Sequence, residues 1–323
     1  MLRRKFVTLL GGAMMLPAAA RAQQQPLIGL LGTANPRAWA APLAAFHQGL
    51  SEAGYAEGRN VTVDYRWADG QYERLPEMAN DLVRRNVSLL VGFTTPAALA
   101  AKAATATIPI VFTTISDPVQ VGLVASFNRP GGNITGASYQ NLEVGPKLLE
   151  LMREVLPAAT AMALLINPTN PNAESQASNM QAVARTLGLE LHVLRAGNER
   201  ELDAAFAALR ELKAGALVVG GDPFLNSRHP QVAATALRQA LPAVYAGRTF
   251  AAAGGLMSYA GSAAEAYKQA GSYAGRILKG TKPADLPVQQ TTKVELIINM
   301  KTARALGINI PLPLLGRADE VIE

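Results

Sequence analysis

A succession of short apolar runs, each closed by a polar loop and set between helical patterns, constrains this chain more than any other feature. The runs cover residues 27–31, 89–91, 109–112, 162–166, 216–220 and 243–245. Continuous apolarity, without alternation, is the pattern of a strand covered on both faces, as in a parallel sheet. The intervening segments carry the 3.6-residue period: Leu43, Phe46 and Leu50; Leu75, Met78, Ala79, Leu82 and Val83; Ala177, Met180, Ala184 and Leu187. Strands alternating with helices imply an α/β fold with right-handed crossovers. The pattern starts twice, first near residue 27 and again with a helix over 147–156 and the run 162–166, so the sequence predicts two lobes of similar topology.

In open α/β sheets ligands bind beyond the carboxyl ends of the strands, which makes the post-strand loops the candidate site. The stretch 111–138 is the richest. A strand ends in Thr113-Thr114-Ile115-Ser116-Asp117-Pro118, a short helical run is expected over 119–127, and a turn at Arg129-Pro130-Gly131-Gly132-Asn133 leads to a return strand over 134–138. The tail holds a glycine-preceded strand (256–259), a helix (263–279), a strand (293–298) and a short helix (302–306), too little for a third lobe. These pieces read as returns between the lobes, giving several crossings, with Gly254-Gly255 as a hinge or bulge.

Charge separates the first 22 residues from the rest. Arg3, Arg4, Lys5 and Arg21 are four of 30 basic residues; without them 26 bases face 24 acids, a net of +2. A chain that close to neutral lacks a nucleic-acid footprint. A basic start, an apolar centre over 6–16 and Ala20-Arg21-Ala22 form an export signal, and the arginine pair resembles a twin-arginine leader without its usual preceding Ser or Thr. The apolar run is short of the ~20 residues that span a bilayer. Cleavage is expected near Ala22, giving a soluble periplasmic protein by the Tat or Sec route. With no cysteine, disulfides, thiolate catalysis, Cys-ligated zinc and lipobox attachment are excluded.

On the first wall, Thr94 and Thr95 follow a strand and precede Pro96, a favoured first helical residue. Their hydroxyls and the helix amides suit a ligand carboxylate, while Thr95 could equally be a plain N-cap. Ser116 and Asp117 repeat the arrangement, with Asp117 also placed to cap the segment after Pro118; Thr33 ends the first strand. On the opposite wall, Asn167 and Asp222 close second-lobe strands. Asp222 suits a ligand ammonium or a turn before Pro223. Tyr139, Tyr245, Tyr259 and Phe224 lie at or near strand ends, where an aromatic ring can stack on a planar ligand or over an ammonium. Tyr267 and Tyr273 fall on an apolar helix face and read as core; Trp39 reads as a lid and Trp67 as packing. His47, His192 and His229 are scattered. No G-x-S-x-G, P-loop or G-x-G-x-x-G occurs, so no metal, cofactor or catalytic set is expected.

Several segments together resemble the ABC-transporter substrate-binding proteins of the tryptophan/tyrosine-type family, over essentially the whole chain. They are Ser116-Asp117-Pro118-Val119, Arg129-Pro130-Gly131-Gly132-Asn133-Ile134-Thr135-Gly136, Ala253-Gly254-Gly255-Leu256-Met257-Ser258-Tyr259, Pro283-Ala284-Asp285-Leu286-Pro287-Val288-Gln289 and Arg317-Ala318-Asp319-Glu320-Val321-Ile322-Glu323. The resemblance implies a type I periplasmic binding fold: two Rossmann-like lobes with parallel sheets, joined by three crossings. The expected division is residues 23–140 with 256–285, and 141–255 with 286–323. It implies no enzymatic activity, capture of a small molecule (an amino acid or aromatic compound) and delivery to an inner-membrane ABC permease by a monomer. A periplasmic sensor shares every one of these sequence features. An exported α/β enzyme would need a clustered acid/base or metal set, and a sugar-responsive repressor would need a DNA-binding headpiece where the leader stands.

Overall fold

The computed structural model describes residues 25–139, 144–291 and 293–323; the leader lies outside the described residues. The first series runs β1 (Leu27–Gly32), α1 (Ala40–Glu52), β2 (Thr62–Trp67), α2 (Leu75–Arg84), β3 (Leu89–Phe93), α3 (Thr95–Ala104), β4 (Ile110–Thr114) and β5 (Ile134–Ser138). The second runs α4 (Val144–Val155), β6 (Ala161–Ile166), α5 (Ala173–Thr186), β7 (Glu190–Arg195), α6 (Glu199–Glu211), β8 (Leu217–Val219), α7 (Pro223–Ser227), α8 (His229–Arg238), β9 (Ala243–Tyr245), α9 (Arg248–Ala252) and β10 (Met257–Gly261). The tail adds α10 (Ala263–Leu278), β11 (Gln289–Gln290), β12 (Val294–Asn299), α11 (Met300–Ala305), α12 (Leu312–Leu315) and β13 (Glu320–Ile322).

Two sheets result. The first has the order β11-β5-β4-β3-β1-β2 and is parallel throughout. The second has the order β13-β12-β10-β9-β8-β6-β7, parallel except where β10 meets β12. Helices cover both faces, as the unbroken apolarity of the strands requires. Val91 and Leu30 pack under Phe46 and Tyr273 on one side of the first sheet, while Leu90 and Phe112 pack with Leu82 and Ile134 on the other.

The chain passes between the sheets three times: after Ser138, between Gly261 and Ala263, and between Gln290 and Val294. The predicted lobe boundaries shift accordingly. β10 pairs with Val244 and Tyr245 of β9 and lies antiparallel to β12, so 256–261 belongs to the second lobe. β11 pairs Gln289 and Gln290 with Ala137 and Ser138, so the first lobe's return extends past Asp285 to Gln290. Gly254 (φ 98) therefore turns the chain inside the second lobe and is not the hinge.

Helix α10 is held in the first lobe by close contact with α1. A Cβ on Gly49 would lie 1.9 Å from the Lys268 carbonyl oxygen, and one on Gly271 would lie 2.0 Å from that of Phe46. Only glycine lets the two backbones approach so closely.

The helix expected over 119–127 does not form. Asp117 Oδ1 accepts from the amides of Val119 (2.8 Å) and Gln120 (3.1 Å), but Gly122 then turns left-handed (φ 72) and the segment stops after one turn.

Candidate functional site

A cavity of about 510 Å³ lies between the lobes, bounded by the loops after the carboxyl ends of strands from both sheets. Its first-lobe wall contains the amino ends of α1, α3 and α10, through Trp39, Thr94, Thr95 and Ser262. None of these three helix starts is capped by a side chain, and the positive ends of their dipoles lie on one wall. No charged side chain lines that wall. The second-lobe wall carries the carboxylates of Asp222 and Glu295, with Arg248 and His229.

Thr94 is held in a backbone region normally kept for glycine, at φ 84 and ψ 161. Its amide donates to Thr113 O (3.0 Å) and its carbonyl accepts from Ala98 N (2.9 Å), which pins it between β4 and α3. Its hydroxyl donates to Thr33 Oγ1 at 3.4 Å. The Thr95 hydroxyl lies 2.7 Å from both Thr114 Oγ1 and Ser116 Oγ, and Asn172 of the second lobe donates to it at 3.4 Å. These hydroxyls form two buried clusters, and Thr94 and Thr95 are the members that line the cavity.

Asp222 is 3% exposed. Its Oδ1 accepts from Asn167 Nδ2 (3.2 Å) and Leu225 N (3.0 Å), and its Oδ2 from Tyr72 OH (3.1 Å) and Asn170 Nδ2 (2.8 Å). All these donors are neutral. Burial pushes the Asp222 carboxyl above its ordinary pKa, against the pull of the donors. A buried negative charge with no cationic partner is costly, and Asp222 lies in the cavity lining.

The expected residues are only partly gathered. Thr94, Thr95, Tyr139 and Asp222 line the cavity. Ser116 and Asp117 line an adjoining space of about 120 Å³ instead, with Asp117 occupied in capping. Thr33, Asn167, Tyr245 and Tyr259 do not line the cavity. Thr33 and Asn167 support Thr94 and Asp222 from behind. Tyr245 is buried in the second lobe, stacked on Phe250 at 4.5 Å, and Tyr259 packs against the second-lobe core. Phe224 is likewise core.

Trp39 is a buried wall, not a lid. It meets Phe93 at 5.5 Å and Tyr267 at 5.6 Å. Tyr267, expected as core, also faces the cavity, its hydroxyl 3.4 Å from that of Tyr139. Tyr72, Asn170, Arg248 and Glu295 were not singled out from the sequence. Asn170 alone left a local signal, as the second Asn of Asn167-Pro168-Thr169-Asn170. Arg248 and Glu295 pair on the second-lobe wall at 3.5 Å, and each is shared, with Glu320 (2.6 Å) and Lys293 (3.0 Å) respectively.

Among the described residues no group of three or more His, Cys, Asp and Glu could hold a metal ion, and no helix is long and apolar enough to cross a membrane.

Two lobes, three crossings and a cavity at the strand ends match the type I periplasmic binding fold. The chain belongs to the ABC transporter substrate binding protein family, whose model matches residues 38–322. It is similar to a tyrosine-binding protein of Clostridioides difficile, 29% identical over 81% of this chain and 75% of that protein. A Streptococcus pneumoniae domain solved in complex with L-Trp is 28% identical, with TM-score 0.84 over 92% of this chain and all of that one. A substrate binding protein with adhesive properties from Clostridium difficile, solved ligand-free and open, is 26% identical, with TM-score 0.65 over 92% of this chain and 99% of that one.

Proposed function

We propose that the protein captures an aromatic amino acid in the periplasm and delivers it, as a monomer, to the inner-membrane permease of an ABC importer, the leader over residues 1–22 having been removed. The observation that carries this reading is the polarity of the cavity. Three helix amino ends, with no charged side chain, form one wall; the acids Asp222 and Glu295 stand on the other, with Arg248 and His229 beside them. A zwitterion satisfies both walls, its carboxylate toward the starts of α3 and α10 and its ammonium toward the acids. Trp39, Tyr139 and Tyr267 offer ring faces and edges to an aromatic side chain. The relatives that bind tyrosine and L-Trp support the same ligand class.

Calorimetry on the chain from Gln23 tests it, using L-tyrosine, L-tryptophan, tyramine, 3-(4-hydroxyphenyl)propionate and glucose. The amino acids bind, and removing either charged group from tyrosine weakens binding. Equal affinity for tyrosine and tyramine, or binding of glucose alone, would overturn the reading.

A further inference from the structure

Tyr72 lies in the turn between β2 and α2, outside the cavity lining. That turn is strapped to the end of β1: Ala68 N donates to Gly32 O at 2.9 Å and Gly70 N to Thr33 O at 2.7 Å. Two left-handed residues, Asp69 (φ 53) and Gly70 (φ 84), swing it toward the second lobe, where a Cβ on Gly70 would stand 3.4 Å from the Phe224 ring. The Tyr72 hydroxyl then makes two bonds to the other lobe. It donates to Asp222 Oδ2 at 3.1 Å and accepts from Phe224 N at 3.0 Å. Helix α7 is thus capped from both lobes, Leu225 N by Asp222 (3.0 Å) and Phe224 N by Tyr72. Hydrogen bonds to a charged group are stronger than neutral ones. On the far side of the cleft the only comparable bond among the described residues is that from Asn172 to Thr95, at 3.4 Å.

We propose that Tyr72 is a positioning residue that latches the lobes together, so that the closed form is populated by protein–protein bonds alone and the occupant of the cavity leaves more slowly. Of the groups in the latch only Asp222 lines the cavity; Tyr72 and Phe224 do not. The chain superposes on the L-Trp complex with TM-score 0.84 and on the ligand-free, open relative with TM-score 0.65.

The test needs no ligand. The chain has no cysteine, and Asn80 on α2 and Ala234 on α8 are exposed. Asn80→Cys with Ala234→Cys, spin-labelled, reports the distance between lobes by double electron–electron resonance. The expected result is a short-distance population in the parent that falls about tenfold relative to the long-distance one in Tyr72→Phe. Asn172→Ala gives a smaller shift. Superimposable distance distributions for the parent and Tyr72→Phe would overturn the latch, because a purely structural role lowers the melting temperature without redistributing the lobes.

Discussion

The side-chain amide of Asn170 donates to Asp222 Oδ2 at 2.8 Å, the shortest contact around that buried carboxylate. Asn170 and Asp222 sit on neighbouring post-strand loops of the second lobe, and Asn170 Oδ1 also accepts from Asn172 N at 3.0 Å. The pair therefore fixes both the carboxylate and the loop that leads into α5. Asn170→Ala removes a donor to a buried charge and is expected to cost about 1–3 kcal/mol of stability, read as a lowered midpoint in urea. An unchanged midpoint would show that water replaces the amide without loss.

The pH dependence of binding follows from Asp222. Its folded pKa is raised from the ordinary 3.8 by burial. The stability that its neutral form contributes is complete below the unfolded pKa and is lost as pH rises through the folded one. A bound ammonium favours the ionised form, so affinity for an amino acid should rise with pH from about 4 and level off above the folded pKa. In Asp222→Asn this rise should vanish. Calorimetry from pH 4 to 8 checks it, and a parallel rise in the variant would assign the titration elsewhere.

Glu295 is the more accessible acid of the second-lobe wall, on β12 and paired with Arg248 and Lys293. Exposed pairs of this kind contribute about 0–1 kcal/mol to folding. Glu295→Gln should leave the melting temperature nearly unmoved while weakening binding of L-tyrosine about fivefold, equivalent to about 1 kcal/mol. Equal weakening for 3-(4-hydroxyphenyl)propionate, which has no ammonium, would contradict a charge contact.

Thr94 stores backbone strain at the start of α3. Thr94→Gly should stabilise the fold by about 1 kcal/mol, since the hydroxyl it removes makes only a 3.4 Å bond to Thr33. A guanidinium titration measures this. Destabilisation would mean that the hydroxyl outweighs the strain.

Gly49→Ala tests the α1–α10 contact. The new methyl would meet the Lys268 carbonyl oxygen at 1.9 Å, and separating the helices should cost about 1–3 kcal/mol, visible in a thermal melt. No change would mean that α10 shifts without cost.

What the sequence made legible depended on range. The apolar runs at 89–91 and 162–166 became strands covered on both faces, and Gly131 and Gly132 form the left-handed turn their dipeptide suggests (φ 73 and 63). These are local signals. The strand expected over 256–259 as part of the first lobe lies in the second, because composition does not say which neighbour a strand pairs with, and β10 is placed by β9 and β12. Tyr72 was invisible because its partner is 150 residues away. Tyr267 misled for a different reason. Its helical period marks a buried face, but that face of α10 covers both the core beside α1 and the cavity, and burial alone does not distinguish a core from a ligand site.

The placement of α10 and β11 also sets a schedule. A ribosome has delivered the first lobe's β1 to β5 by residue 138, yet the helix and edge strand that finish this lobe come from residues 263–290. The second lobe waits in turn for β12 and β13. Domains commonly fold in the order they are made; here neither lobe can close its core until nearly the whole chain has emerged. A chain halted before residue 263 would leave the face of α1 that carries Gly49 and Phe46 without its partner helix. Each lobe's sheet and helix layers are thus completed by segments from the last fifth of the chain.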